Sequence, residues 1–419
     1  MIAPSTFNES EKRVLLNRKS EIVQALLDNC QLFPQYAGVP LLKAGDIYHG
    51  IWLEHNQDNL FLADYNPESA WASQDVFMRY QRKDGLLPFA IFLRDRNSED
   101  SICYQHVQSV WPFTRSAIEI ARKTNRPESD FERIYQAGVR YDEWFGKYRN
   151  RAGTGLVEMY CEYDTGHDND PRVTDDGIPH SCPGNDAVNM PDLPIMPVLS
   201  VDLSAMLYGA RIALSELSEL LGRKKEAARW RDKAETIRLA IRNNLYDPAD
   251  EFYYDRDTRG FRKYRTEHVT RLFLNRVLNQ EEFDSVYDRY FGTPGREFNP
   301  AFPIPSVSVD DPNFDRRCPK NSWGSNTQAP TTLRAILWMD HYNRSGDLTG
   351  LLSRWLRAIC DHPETTFQQE INPFTGAPVG EGLNFSPTLL VFLEAIKRLG
   401  FDRYNEKSEN DKEVVPMKI

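Results

Sequence analysis

Between Glu162 and Arg172 the chain reads Glu-Tyr-Asp-Thr-Gly-His-Asp-Asn-Asp-Pro-Arg, so four carboxylates, Glu162, Asp164, Asp168 and Asp170, crowd around a glycine and an Asn-Asp-Pro break. Like charges packed this closely repel, and a carboxyl among them that keeps its proton near neutral pH is able to donate it to a leaving group. General-acid catalysis is the chemistry the stretch offers. The alternatives are a solvated acidic loop and a calcium-binding turn. Asp168, Asn169 and Asp170 do not continue into the twelve-residue calcium loop with its central glycine and terminal glutamate. His180-Ser181-Cys182 lacks a second pair of ligands. No metal is therefore expected, and with no phosphate-cradling glycine loop, no cofactor.

Positioning such groups requires a scaffold, and the periodicity describes one. Apolar residues recur at helical spacing over 11–29, 67–82, 110–124, 129–149, 198–221, 224–245, 266–277, 280–291, 329–344, 348–360 and 386–399. Leu203, Leu207, Ala210 and Leu214 form one stripe and Ala227, Trp230, Ala234 and Ile237 another, joined by a short Gly222-Arg223-Lys224 turn into an antiparallel hairpin. Strand signals are sparse: Glu251–Asp255 and its continuation to Phe261 around Asp-Thr-Arg-Gly predict one small hairpin. There is no βαβ alternation and no serine elbow. About six helical hairpins imply an all-α toroid, an (α/α)6 barrel whose long Pro-, Gly-, Asn- and Asp-rich loops carry the chemistry at one mouth. Residues 1–401 are expected to form a single catalytic domain, and the charged stretch 402–419 a separable tail.

The motifs in order resemble the family 63 glycoside hydrolases and their mannosylglycerate hydrolase-like relatives, over about residues 47–400. That resemblance implies an (α/α)6 barrel and inverting hydrolysis. Gly166-His167-Asp168-Asn169-Asp170-Pro171-Arg172 matches the family's Gly-x-Asp-Asn-Ser-Pro-Arg-like acid motif, with Asp170 in place of Ser, and so implies Asp168 as general acid. Gln57-Asp58-Asn59-Leu60-Phe61 resembles a Trp-Asp-x-x-Phe motif whose Asp holds sugar hydroxyls, which carries Asp58 over and leaves Trp52 to supply the missing ring. Val201-Asp202-Leu203 fits an Asp-Leu pair opening an inner helix, where a helix-capping role is the competing reading. Gln108 matches a sugar-contacting Gln, and Trp323 is the residue retained from a Tyr-Trp-Arg-Gly-Pro segment. Tyr163, His167, Asn169 and Arg172 complete the substrate-binding set that the resemblance implies. The second carboxylate falls on Glu370 in Gln368-Gln369-Glu370-Ile371-Asn372-Pro373, three residues before the proline where many relatives have four, with Glu381 in reserve.

Two loops this far apart in sequence must meet if one carboxyl is to protonate the leaving oxygen while another activates water on the opposite face, about 6.5–9.5 Å away. The expected substrate is a short α-linked glucoside or mannoside, a disaccharide or glycosylglycerate, with Arg316, Arg317 and Lys320 available to an acidic aglycone. A lyase or epimerase using His106, His167 or His268 and a non-catalytic carbohydrate-binding toroid are the competing classes. The net charge of -10 and the lack of a basic stripe argue against a nucleic-acid partner. No apolar run approaches membrane-spanning length, the first residues lack a secretory core, and six cysteines without short paired spacings suit reduced thiols; a cytoplasmic protein is expected.

Overall fold

The computed structural model describes residues 2–95, 98, 101–320 and 323–401. The expected tail, 402–419, lies outside the described residues. Among the described residues, thirteen α-helices run in chain order: α1 Glu9–Asp28, α2 Asn56–Leu62, α3 Pro67–Arg79, α4 Phe113–Lys123, α5 Glu128–Tyr148, α6 Pro171–Thr174, α7 Val201–Leu220, α8 Lys224–Leu245, α9 Thr270–Leu274, α10 Gln280–Tyr290, α11 Ala329–Ala335, α12 Ser345–Asp361 and α13 Ser386–Arg398. Apart from the one-turn α6 they alternate between an inner ring (α2, α4, α7, α9, α11, α13) and an outer ring (α1, α3, α5, α8, α10, α12), which is the (α/α)6 barrel.

Composition explains the alternation. Inner α7 is buried nearly all round, with Leu203, Ala205, Leu207, Gly209, Ala213 and Leu217 meeting neighbours on several sides. Outer α8 buries only Ala227, Trp230, Ala234, Ile237, Ile241 and Leu245, one stripe at three and four spacing with charged residues elsewhere. Around the ring α2 meets α4, α4 meets α7, α7 meets α9, and α13 packs on both α11 and α2. Ser200 caps α7 by accepting the Leu203 N–H.

Two departures from the sequence reading matter. Helix α2 carries no apolar period: Asn56, Gln57, Asp58 and Asn59 are all buried, so tertiary packing, not amphipathicity, makes it a helix. The expected 251–261 hairpin divides, because Phe252–Tyr253 pairs with Tyr246–Asp247 while Arg256–Asp257 turns back on Gly260–Phe261.

Short sheets brace the loops at the mouth. Gly50–Trp52 pairs with Ala90–Phe92, fixing Trp52 opposite Ala90. Glu370–Ile371 lies between Thr327–Gln328 and Pro378–Val379, setting Glu370 opposite Gln328 and Val379. The loops ahead of the inner helices thus converge at one end of the barrel.

Candidate active site

A cavity of about 130 Å³ opens where those loops meet, lined by Tyr48, Trp52, Glu54, His55, Gln108, Gly166, Asp168, Trp323, Gln369 and Phe385 among others. Each inner helix in its wall contributes through the segment before or at its N-terminus: His55 before α2, Gln108 before α4, Trp323 before α11, and Gln369 and Phe385 before α13. A larger cavity of about 240 Å³ holds Trp111, Arg115, Tyr208 and Glu216. Arg115 closes on Glu216 there through bonds of 2.6 and 2.7 Å, so it has no poised acid, and Trp111 is not in the wall that holds Asp168.

Asp168 follows Gly166, whose φ of +72° suits glycine. Its Oδ1 accepts no hydrogen bond, and its carbonyl takes the Trp323 N–H at 3.0 Å. Burial, followed by the nearby charges of Glu54 and Glu162, pushes the Asp168 carboxyl up to about 7, against the pull of His167 and His180. The other carboxylates of the stretch are committed elsewhere. Asp164 is wholly buried, grips Arg149 at 2.5 and 3.1 Å, and accepts the N–H groups of Val107 and Tyr160. Burial opposes its charge, but these donors hold it below the ordinary carboxylate range, which removes it as a reserve acid. Glu162 is tied to the Asn169 N–H at 2.7 Å and to His180. Asp170 caps α6 by accepting the Arg172 N–H at 2.8 Å, and burial pushes it up to about 6.

Glu370 is buried, with Oε2 accepting from Asn326 Nδ2 at 2.5 Å and from Gln328 Nε2 at 3.3 Å. Burial raises the Tyr48 phenol, and then the charges of Asp168 and Glu370 raise it further, so one ring senses both carboxylates. Glu381 is different: it is exposed and paired with Lys320 at 3.2 Å.

Trp52 stands partly exposed in the cavity wall, edge-on to Tyr48 at 5.6 Å and Phe92 at 5.3 Å. Trp323 meets His167 edge-on at 4.9 Å. Gln108 donates to Glu54 Oε2 at 2.8 Å. Tyr163 stacks on His180, and burial and then Asp168 raise its phenol.

Several expected sugar ligands lie behind the wall instead. Arg172 is fully buried between Asp255 at 2.6 Å and Asp202 at 2.9 Å, with a nitrogen 2.7 Å from His167 Nδ1. His167 also reaches Glu267 at 2.7 Å, and Glu267 pairs with Arg271 at 2.6 Å. Neither Arg172, His167, Asp202 nor Glu370 is in the cavity lining. Asp58 is likewise outside the lining and bonds His55 Nδ1 at 3.2 Å and Gln57 Nε2 at 2.9 Å. Asn169 is at φ +64° and serves the loop through its N–H. Of the histidines that a lyase or epimerase could use, burial lowers His106 and His268 to about 4, and His268 bonds Thr266 and the Tyr253 carbonyl. Tyr48, Glu54 and Phe385 are among the lining residues that motif reading missed, although Glu54 stands only four residues ahead of Asp58.

Residues 59–388 match the family model of the mannosylglycerate hydrolase MGH1-like glycoside hydrolase domain. Among solved structures, the chain is similar to the GH63 mannosylglycerate hydrolase from Thermus thermophilus in complex with glucose, at 17% identity over 90% of this chain and 99% of that chain, with a TM-score of 0.68. The complex of the same enzyme with Tris gives a TM-score of 0.70. The neutral trehalase Nth1 from Saccharomyces cerevisiae is similar at 13% identity over 86% of this chain and 73% of that one, with a TM-score of 0.63.

Proposed function

Because the chain belongs to the mannosylglycerate hydrolase MGH1-like glycoside hydrolase family and is a glycoside hydrolase, we propose that it cleaves a short α-linked glucoside or mannoside with inversion, Asp168 acting as general acid and Glu370 as general base. The observation that carries the reading is the Asp168 carboxyl, held protonated to about pH 7 in a cavity walled by Trp52 and Trp323. A protonated carboxyl there delivers its proton to the glycosidic oxygen as the bond to the anomeric carbon breaks, so the aglycone departs as its alcohol and Asp168 is left as carboxylate. Glu370, oriented by Asn326 and Gln328, takes a proton from the water that attacks the opposite face. Trp52 offers an apolar ring face to the sugar, and Gln108 a polar contact. Residues 1–401 act as one catalytic domain on this reading. The test is proton NMR of the first product formed from α-linked glucosides and mannosides. The expected first product is the β anomer, and an α anomer at early times rejects the mechanism while leaving the fold untouched.

A further inference from the structure

Glu54 belongs to none of the motifs that identify the acid and the base, yet it lines the same cavity. Its two oxygens have separate partners. Oε1 accepts from Arg334 at 2.9 Å, and Oε2 accepts from Gln108 Nε2 at 2.8 Å. Oε2 also lies over Gly166, two residues before Asp168, so closely that a Cβ built there would stand 2.5 Å from it. Burial opposes its charge, but Arg334, followed by His55 and Arg271, keeps Glu54 ionised below the ordinary carboxylate range. The site therefore holds a fixed anion beside the group that must stay protonated.

We propose that Glu54 is a positioning residue for the acid step: clamped by Arg334 and Gln108 against Gly166, its carboxylate keeps the proton on Asp168. This rests on the reading of Asp168 as general acid. Among the other groups facing Asp168, Glu162, from the turn before Gly166, acts in the same sense but second to Glu54, and it is engaged by His180 and the Asn169 N–H. His167, from the acid loop itself, and His180, from the loop after α6, act in the opposite sense. The Tyr48 and Tyr163 phenols both stay neutral through the physiological range. Glu54 is the facing carboxylate whose cation binds one oxygen while the other is turned to the acid loop.

Carbon-13 NMR of protein labelled at aspartate carboxyls tests this without any substrate, the Asp168 signal being the one missing from Asp168→Asn. Glu54→Gln is expected to move the Asp168 midpoint down by about one pH unit, and Glu54→Asp to keep it within about 0.3 unit of wild type. An unmoved or raised midpoint in Glu54→Gln overturns the proposal. Where that variant does not fold because Arg334 loses its counter-charge, Glu54→Gln/Arg334→Gln is read against Arg334→Gln, so that only the carboxylate differs: a lower midpoint in the double variant supports the proposal and an equal one overturns it. Activity separates the two layers. An active Asp168→Asn enzyme sinks the assignment of the acid, whereas an inactive one with an unmoved midpoint in Glu54→Gln sinks only the role of Glu54.

Discussion

An aspartate with one oxygen unbonded and an ionised glutamate behind it binds its proton more tightly folded than unfolded, and two consequences follow. Asp168→Asn removes the transferable proton while keeping the shape, so hydrolysis of glycosides with poor leaving groups should fall by about 100-fold or more, with circular dichroism unchanged. Glycosyl fluorides, which need no protonation to leave, should lose much less. The second consequence concerns stability. Native Asp168 holds its proton up to about 7 against an ordinary 3.8, so its contribution is fully present at low pH and is lost as pH rises through that window. Melting curves should therefore show Asp168→Asn gaining on wild type between about pH 4 and pH 8; a constant difference would mean that Asp168 titrates normally. Asp168 was legible because the crowding of carboxylates and the family motif agreed on it. Glu54 was not, because a lone glutamate between Leu53 and His55 carries no local signature, and only the fold brings Gly166 and Arg334 to it.

Elements carry the next constraint, since the acid loop works only if the turn at Gly166 stays left-handed and bare. Alanine there meets both the strain of a positive φ and the Glu54 carboxylate. Gly166→Ala is expected to cost about 1–3 kcal/mol in urea unfolding and to lower activity more than its stability loss explains. A variant with wild-type rate and stability would show that the loop tolerates a shifted Glu54. The same scale shows where pattern reading stops. Long outer helices such as α5 and α8 announce themselves by an apolar stripe. Inner α2 does not, because a short helix enclosed by others gains nothing from being amphipathic, and its polar residues bond inward, as Asn56 does to the Trp111 carbonyl. The positions of Asp58, Arg172 and Asp202 outside the cavity lining have a related reason: sequence spacing places a residue near a mouth, but not on a given side of its wall.

For the whole molecule, closure of the ring and the size of its mouth decide what reaches Asp168. The N-terminal segment helps close the ring: Leu15, Ile22 and Leu26 of α1 are buried, α1 packs on α13, and the Ile2 N–H reaches Asp347 at 2.6 Å. Three such side chains contribute roughly 5–9 kcal/mol together, comparable with the whole stability of an ordinary domain. Removal of residues 1–28 should leave a chain without cooperative unfolding by calorimetry. At the other end, the cavity at Asp168 is small, about 130 Å³, which suits one ring entering at a chain end better than a polymer lying across. Lys320 and Arg317 are exposed and already paired with Glu381 and Asp315, so an acidic aglycone that engages Lys320 must draw it away from Glu381. Purified protein should thus hydrolyse α-linked disaccharides, glucosylglycerate or mannosylglycerate, with kcat/KM no higher for longer oligomers than for two-unit substrates. For the glycerate-linked compounds, Lys320→Gln should lower kcat/KM several-fold while leaving neutral disaccharides unchanged. Rates that climb with chain length up to polysaccharide would require an open cleft in place of this pocket.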